Sequence, residues 1–344
     1  MKRPPRIDAL RVRVFTNVAK DLIRSEQRNI AMKLNRRSYL IGAAAAVVAT
    51  CNTHDVCAAK KPLQGMTFSF GTYGMKTLKT EKALKVISDI GYDGVELACR
   101  KGWDILPENV SKARRKSLAQ MLKDTGLELT AIMAQIRPVD SAAGHRRYLD
   151  ALKRAIELGH DLSPKHPPAI QSILGGGSWE KKKGMIVKRL ADWEAIGRKT
   201  KTVICIKPHR GGVMSRPSEA VWIIGQLNQS KWMRMVYDYS HYAFRNMPLA
   251  DTIKTALPYT GHIAIKDTIR RGKGTTFVLP GASGNIDYVK LLKLFHAGGY
   301  RGDICCEVSG AVWSKKGYDP IAAAQTCYKN IAPMFKKAGV ARRG

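Results

Sequence analysis

Beyond Pro62 the chain alternates short apolar runs of strand length with stretches whose apolar residues recur at helical spacing. Met66 to Gly71 reads as a first strand. Glu81 to Ile90 follows as a helix, with Leu84, Ile87 and Ile90 on one face and Gly91 ending it. Gly94 to Leu97 is a second strand, Pro107 to Asp124 a long helix, and Leu127 to Ala134 a third strand. The rhythm continues with a helix His145 to Gly159, a strand Pro168 to Leu174, a helix Trp179 to Arg198 and a strand Val203 to Lys207. A helix from Pro217 to Leu227 leads to a sixth strand, Met233 to Tyr237. Leu249 to Ala256 precedes a seventh, His262 to Lys266, and Asp287 to Phe295 an eighth, Asp303 to Val308. The last helix opens on Asp319-Pro320, an N-cap followed by proline at the first helical position, and runs to Lys337.

About eight strand–helix units over roughly 270 residues have the size and rhythm of a (β/α)8 TIM barrel. A doubly wound open sheet is the alternative, but no G-x-G-x-x-G follows the first strand. With no linker, repeat or low-complexity tract after residue 59, residues 60–344 read as one barrel domain. Residues 1–59 read as a basic extension and signal peptide. Asn35-Arg36-Arg37-Ser38-Tyr39-Leu40 is a twin-arginine pattern before a small apolar run, with cleavage expected after Ala58 or Ala59. Thr50, where Gly or Ala is usual, argues against lipoprotein anchoring at Cys51, and Met32 is an alternative start to Met1. Export to the periplasm by the twin-arginine route is expected, with no transmembrane span in the mature chain.

The formal net charge is +32, of which residues 1–59, with eleven basic and four acidic side chains, account for +7 and leave +25 on the barrel. Such a charge attracts anions. No basic helix interleaved with aromatics is present, so nucleic acid is not the expected partner. Five cysteines follow the signal segment, Cys99, Cys205, Cys305, Cys306 and Cys327. Their odd count and lack of C-x-x-C spacing point to free thiols rather than a disulfide framework.

In a barrel the residues at the C-terminal strand ends converge on one site. Here they are Glu96, Gln171, Lys207 with His209, Asp238 with His241, Lys266-Asp267, and Glu307. Asp238-x-x-His241 could hold a metal, or one of the two could hold metal while the other grips a sugar hydroxyl. Gly91-Tyr92-Asp93-Gly94-Val95-Glu96-Leu97, Asp238-x-x-His241, Ile265-Lys266-Asp267 and Cys306-Glu307-Val308 together resemble the sugar phosphate isomerase/epimerase (xylose isomerase-like) barrels over residues 66–338. The resemblance implies one divalent cation (Mn, Mg, Zn or Co) held by Glu, Asp, His and Glu from strands five to eight, and proton transfer beside a carbonyl of a small carbohydrate.

Two positions depart from that pattern. Lys207 stands where strand five usually ends in Glu, and Ala264 where strand seven usually carries a ligand His. His262 faces the same side about 6.6 Å lower, two residues at ~3.3 Å each. Asp238 and Glu307 carry over as metal ligands, and His209 with His241 or His262 could complete a rebuilt set. Lys207 could instead take the metal's place without any metal, stabilising an enediolate oxygen or, if burial depresses its pKa, acting as base. Glu307 is then the proton acceptor and His241 a catalytic partner; Glu96, Gln171, His209, His241 and Lys266 are the expected substrate-binding residues. Elimination from a keto-sugar shares the enediolate, so a lyase is a second reading, and a sugar-binding barrel without catalysis a third. The oligomeric state stays open. Export makes its own prediction: replacing Arg36 and Arg37 with Lys should retain the protein in the cytoplasm, and unchanged secretion would refute the twin-arginine route.

Overall fold

A computed structural model describes residues 65–272 and 274–343. The twin-arginine motif, the cleavage sites and Cys51 lie outside the described residues. The strands are β1 (Thr67–Gly71), β2 (Gly94–Cys99), β3 (Glu128–Ala134), β4 (Ala169–Ile173), β5 (Ile204–Lys207), β6 (Met233–Tyr237), β7 (Thr260–Ile265), β8 (Asp267–Arg271), β9 (Gly274–Val278) and β10 (Asp303–Cys306). Eight of them close a parallel barrel in the order β1-β10-β7-β6-β5-β4-β3-β2, so the expected TIM barrel forms. β8 and β9 make a separate antiparallel hairpin.

The main helices are α1 (Thr80–Ile90), α2 (Lys112–Thr125), α3 (Ala142–Leu162), α4 (Trp179–Thr200), α5 (Pro217–Gln226), α6 (Ser240–Ala243), α7 (Leu249–Ala256), α8 (Tyr288–Ala297), α9 (Gly310–Trp313) and α10 (Pro320–Ala338). Local signals set their ends. Ser111, Ser141 and Asp319 accept backbone N–H bonds as N-caps of α2, α3 and α10. Gly91 closes α1 at φ 101°, where a side chain would be strained. The long helix expected from Pro107 to Asp124 is divided. Pro107–Asn109 forms a 3-10 turn, Val110 is extended, and Ser111 starts α2 afresh.

The hairpin was not foreseen. Its β-branched runs around Arg271-Gly272-Lys273-Gly274 carry a strand–turn–strand signal that the search for barrel strands passes over. Large buried side chains such as Trp193, Tyr237, Phe68 and Phe295 fill the shell between sheet and helices. The tail seals the bottom: Met66 pairs with Arg342, whose guanidinium bonds Asp93, the Gly91 carbonyl and the Tyr328 hydroxyl. The five described cysteines are free and buried. Among the described residues no helix is long and apolar enough to cross a membrane.

Candidate active site

Side chains alternate across a strand, so residues two apart share a face. Cys205, Val236 and Ala264 pack on one another inside the barrel. One step up toward the C-terminal mouth, the same parity turns Lys207, Asp238 and Lys266 inward, with Glu307 above Cys305. These four meet. Lys207 Nζ lies 2.5 Å from Glu307 Oε2 and 2.9 Å from Asp238 Oδ2. Lys266 Nζ is 2.8 Å from Glu307 Oε1 and also bonds Asp238 Oδ2. All four are buried, at no more than 8% side-chain exposure. The result is a closed ring of alternating charge, neutral overall.

The ionisation of Lys207 and of the two acids follows from their neighbours. Burial disfavours the charged Lys207, but Asp238 and Glu307 outweigh it and hold the ammonium well above its usual range. Burial would likewise raise Glu307 and Asp238, yet the two lysines keep both carboxylates far below theirs. Lys207 is therefore a fixed cation and not a base, the opposite direction from the depression considered on sequence grounds. Each ammonium has three donors and spends two on the carboxylates. Lys266 also lies 5.2 Å from the Phe277 ring centroid, whereas the third N–H of Lys207 has no carboxylate partner.

Above the ring sit two histidines. Asp238 and His241 belong to one turn, the His241 N–H donating to the Asp238 carbonyl. His241 Nδ1 accepts the Arg210 backbone N–H at 3.1 Å, which assigns its proton to Nε2. That nitrogen lies 3.4 Å from Asp238 Oδ2, outside hydrogen-bond alignment. Burial and Lys266 push His241 down to about 3. His209 lies tilted against it with centroids 4.1 Å apart; burial, Lys266 and Lys207 bring His209 down to about 4. Both are neutral at pH 7. His241 is fully buried and positions its neighbours, while His209 is only half-buried. The hairpin covers this side: Phe277 packs edge-on against His241 at 5.3 Å and lies under the Arg210 guanidinium at 4.6 Å.

A second polar layer lies deeper. His262 Nδ1 is 2.9 Å from Asp303 Oδ2, and Nε2 is 3.1 Å from Glu96 Oε2. Gln171 donates to the same Glu96 oxygen at 2.8 Å. Burial opposes charge on His262, but Asp303 and Glu96 raise it to about 10. Glu96 and Gln171 thus sit inside the barrel below the ring, not at the mouth. Across the mouth, Tyr73, Trp103 and Trp313 form an aromatic wall, with ring centroids 5.2–5.5 Å apart. The Tyr73 phenol is raised by burial and by Glu307, opposed by Arg100 and Lys207.

With the fold and ring in view, comparison with known proteins places the chain. Residues 84–330 match the sequence profile of the xylose isomerase-like TIM barrels. The chain belongs to that family. A curated relative, "Putative hydroxypyruvate isomerase" of Mus musculus, is 26% identical over 113 residues, covering 31% of this chain and 38% of that protein. The solved IOLI protein with a binding zinc atom superposes at TM-score 0.66 with 18% identity, over 79% of this chain and 99% of that one. D-psicose 3-epimerase in the presence of D-fructose superposes at TM-score 0.63 with 15% identity, over 79% and 99%.

Barrels of this type can hold a metal, and the zinc-bound structure is one case. Here the four implied ligand places are Lys207, Asp238, Ala264 and Glu307. One is an ammonium, one a methyl group, and each carboxylate already faces two ammonium groups. That donor set does not fit a divalent cation. A separate group that could hold one is Glu96, His262 and Cys305, whose donor atoms lie within 4.8 Å of one another, buried in the deeper layer.

Lys207, Asp238, Lys266, Glu307, His209 and His241 are thus brought together, with Glu96 and Gln171 one layer lower. Sequence reasoning passed over Asp303, Arg100 and Phe277. Asp303 opens its strand rather than ending it, and Phe277 lies in the unforeseen hairpin. Arg100 was detectable, as the first polar residue after β2.

His262 predicts a pH effect. Its imidazole binds a proton more tightly folded than unfolded, so its stabilisation is full below about pH 6.5 and is lost as pH rises through about 10. Urea midpoints at pH 6, 8 and 10 should fall more steeply for the wild type than for His262→Gln. Parallel slopes would mean that the imidazolium is not held between the two acids.

Proposed function

We propose that this protein is an isomerase- or epimerase-type enzyme that moves a proton beside the carbonyl of a carbohydrate through an enediolate, with ammonium groups in the place of a metal. The observation that carries it is the Lys207 ammonium, clamped between Asp238 and Glu307 with an N–H to spare where the strand ends converge. The relative named for hydroxypyruvate and the epimerase solved with D-fructose act on hydroxy-carbonyl compounds, which supports the substrate class.

In this reading the substrate carbonyl oxygen accepts from Lys207, a donor already held in place by Asp238 and Glu307, so the ring need not rearrange as charge develops. Negative charge grows on that oxygen as the α-proton leaves. His209 takes the proton, because Glu307 is held too firmly by both lysines to be an effective base. The imidazolium is disfavoured beforehand by burial and the two ammonium groups; the enediolate's own charge offsets that penalty at the moment of transfer. Return of the proton by His209 to the neighbouring carbon isomerises, whereas epimerisation needs the original carbon protonated on its opposite face by a second donor, a solvent water. Export of the folded barrel by the twin-arginine route belongs to the same proposal, on the strength of Arg36-Arg37.

Incubation with D-fructose, D-psicose and hydroxypyruvate in deuterated water should wash out an α-proton signal of at least one of them by NMR. Lys207→Met and His209→Asn should each slow that exchange by on the order of 100-fold. Binding of all three without exchange would reduce the protein to a sugar-binding barrel.

Lys207→Glu tests the ammonium's place directly. The change moves the site by two charge units toward holding a cation and supplies a missing ligand type. Mn²⁺ should raise the melting temperature of the variant and leave the wild type unmoved. If Mn²⁺ stabilises the wild type equally, or fails to stabilise the variant, the ammonium is not the metal's substitute.

A further inference from the structure

We propose that the cavity between the ends of β2, β3 and β4 binds an anionic group, a carboxylate or a phosphate, at the far end of the substrate. The inference rests on the proton-transfer reading of the ring and narrows its substrate to an acidic sugar or sugar phosphate.

The cavity has a volume of about 260 Å³ and is lined by Arg100, Gln135, Arg137, Tyr148, Ser172 and Gly175 among others, with no acidic residue in its wall. Arg100 is half-buried and Arg137 exposed at one space, so an anion between them would relieve repulsion that water screens only in part. Neither is in an ion pair among the described residues. The Nε of Arg100 is buried without a hydrogen-bond partner, so this guanidinium is not satisfied within the protein and its terminal nitrogens remain to bind an acceptor. Its guanidinium is oriented by the rings of Tyr73 and Trp103, at 5.4 and 5.9 Å. Arg137 spends its Nε on the Tyr148 hydroxyl at 3.1 Å, which leaves its two terminal nitrogens and the tyrosine O–H to offer. Planar forks of this kind match carboxylate and phosphate oxygens in pairs.

Position fits the same substrate. Tyr73 lies 5.4 Å from the Arg100 guanidinium and within electrostatic reach of Glu307 and Lys207, which places the cavity's Arg100 near the ring. A sugar chain with its carbonyl on Lys207 would run past Tyr73 and present its other end to Arg100 and Arg137. The barrel's excess of positive charge would draw in such substrates but cannot select among them, since surface attraction is screened by salt.

Three ketoses that differ only at C6 separate the possibilities: D-fructose, D-fructuronate and D-fructose 6-phosphate, titrated calorimetrically at 0.15 M salt. At least one of the two anions should bind roughly tenfold or more tightly than fructose, and whichever does names the group. Arg100→Met and Arg137→Met should each erase that preference, Arg100→Lys should keep part of it, and Lys85→Met on the outer face of α1 should keep all of it. Equal affinities for the three ketoses, no binding of any, or a preference that survives both methionine variants would overturn the proposal. Deuterium exchange is read separately: a preference erased by the arginine variants without exchange in any ketose leaves the anion site standing and refutes the proton-transfer reading.

Discussion

Charge neutrality inside a dry barrel governs this molecule. Lys207, Asp238, Lys266 and Glu307 are each nearly inaccessible to water, where a charge is tolerated only beside an opposite one. Each cation touches both anions, so no single pair can be removed in isolation. Breaking one buried pair typically costs about 3–5 kcal/mol because the stranded charge stays behind. A lysine at the end of β5 therefore has consequences three strands away. It settles the ionisation of the acids on β6 and β10 and removes the surplus negative charge that a divalent cation would need.

The same coupling limits what the ring itself can do. Both acids are held in the charged form and Lys207 is held in its own, so the ring can polarise an oxygen but is poorly suited to exchange protons at neutral pH. In the proposed reaction proton transfer would fall to a group that the ring keeps neutral, and His209 is such a group: half-buried, and tilted against a buried His241 that the Arg210 backbone holds by its Nδ1. Below the ring the balance is struck differently. One imidazolium stands between two acids, Glu96 and Asp303, and together they build a charged floor under the site.

The barrel was legible in the chain because each strand announces itself as an apolar run and each helix by its period and caps. The site was legible where parity and a strand end coincide, as at Lys207, Asp238, Lys266 and Glu307. Glu96 shows the limit of that rule. It follows Gly94-Val95 as if ending a strand, yet β2 runs on to Cys99, and the carboxylate stays inside. His262 was rightly placed below the mouth by counting residues, but its partner Asp303 begins β10, and no local pattern links a first residue on one strand to the middle of the next. The direction of the Lys207 shift was hidden for a related reason. It depends on whether one or two carboxylates reach the ammonium, which is a matter of three-dimensional register.

The hairpin decides from which side the ring can be reached. Phe277, Arg210, His241 and Lys266 pack together over β6 and β7, and that part of the mouth is filled by protein. On the opposite side the strand ends carry Tyr73, Trp103 and Arg100, with Arg137 beyond them, and a cavity lies between β2 and β4. A flat, partly apolar sugar face suits the aromatic wall, and an oxygen at its near end suits Lys207. Since the ring itself is neutral, it offers no net attraction to an anion. Any recognition of charge would come from groups outside it, and Arg100 and Arg137 line an acid-free cavity beside the aromatic wall.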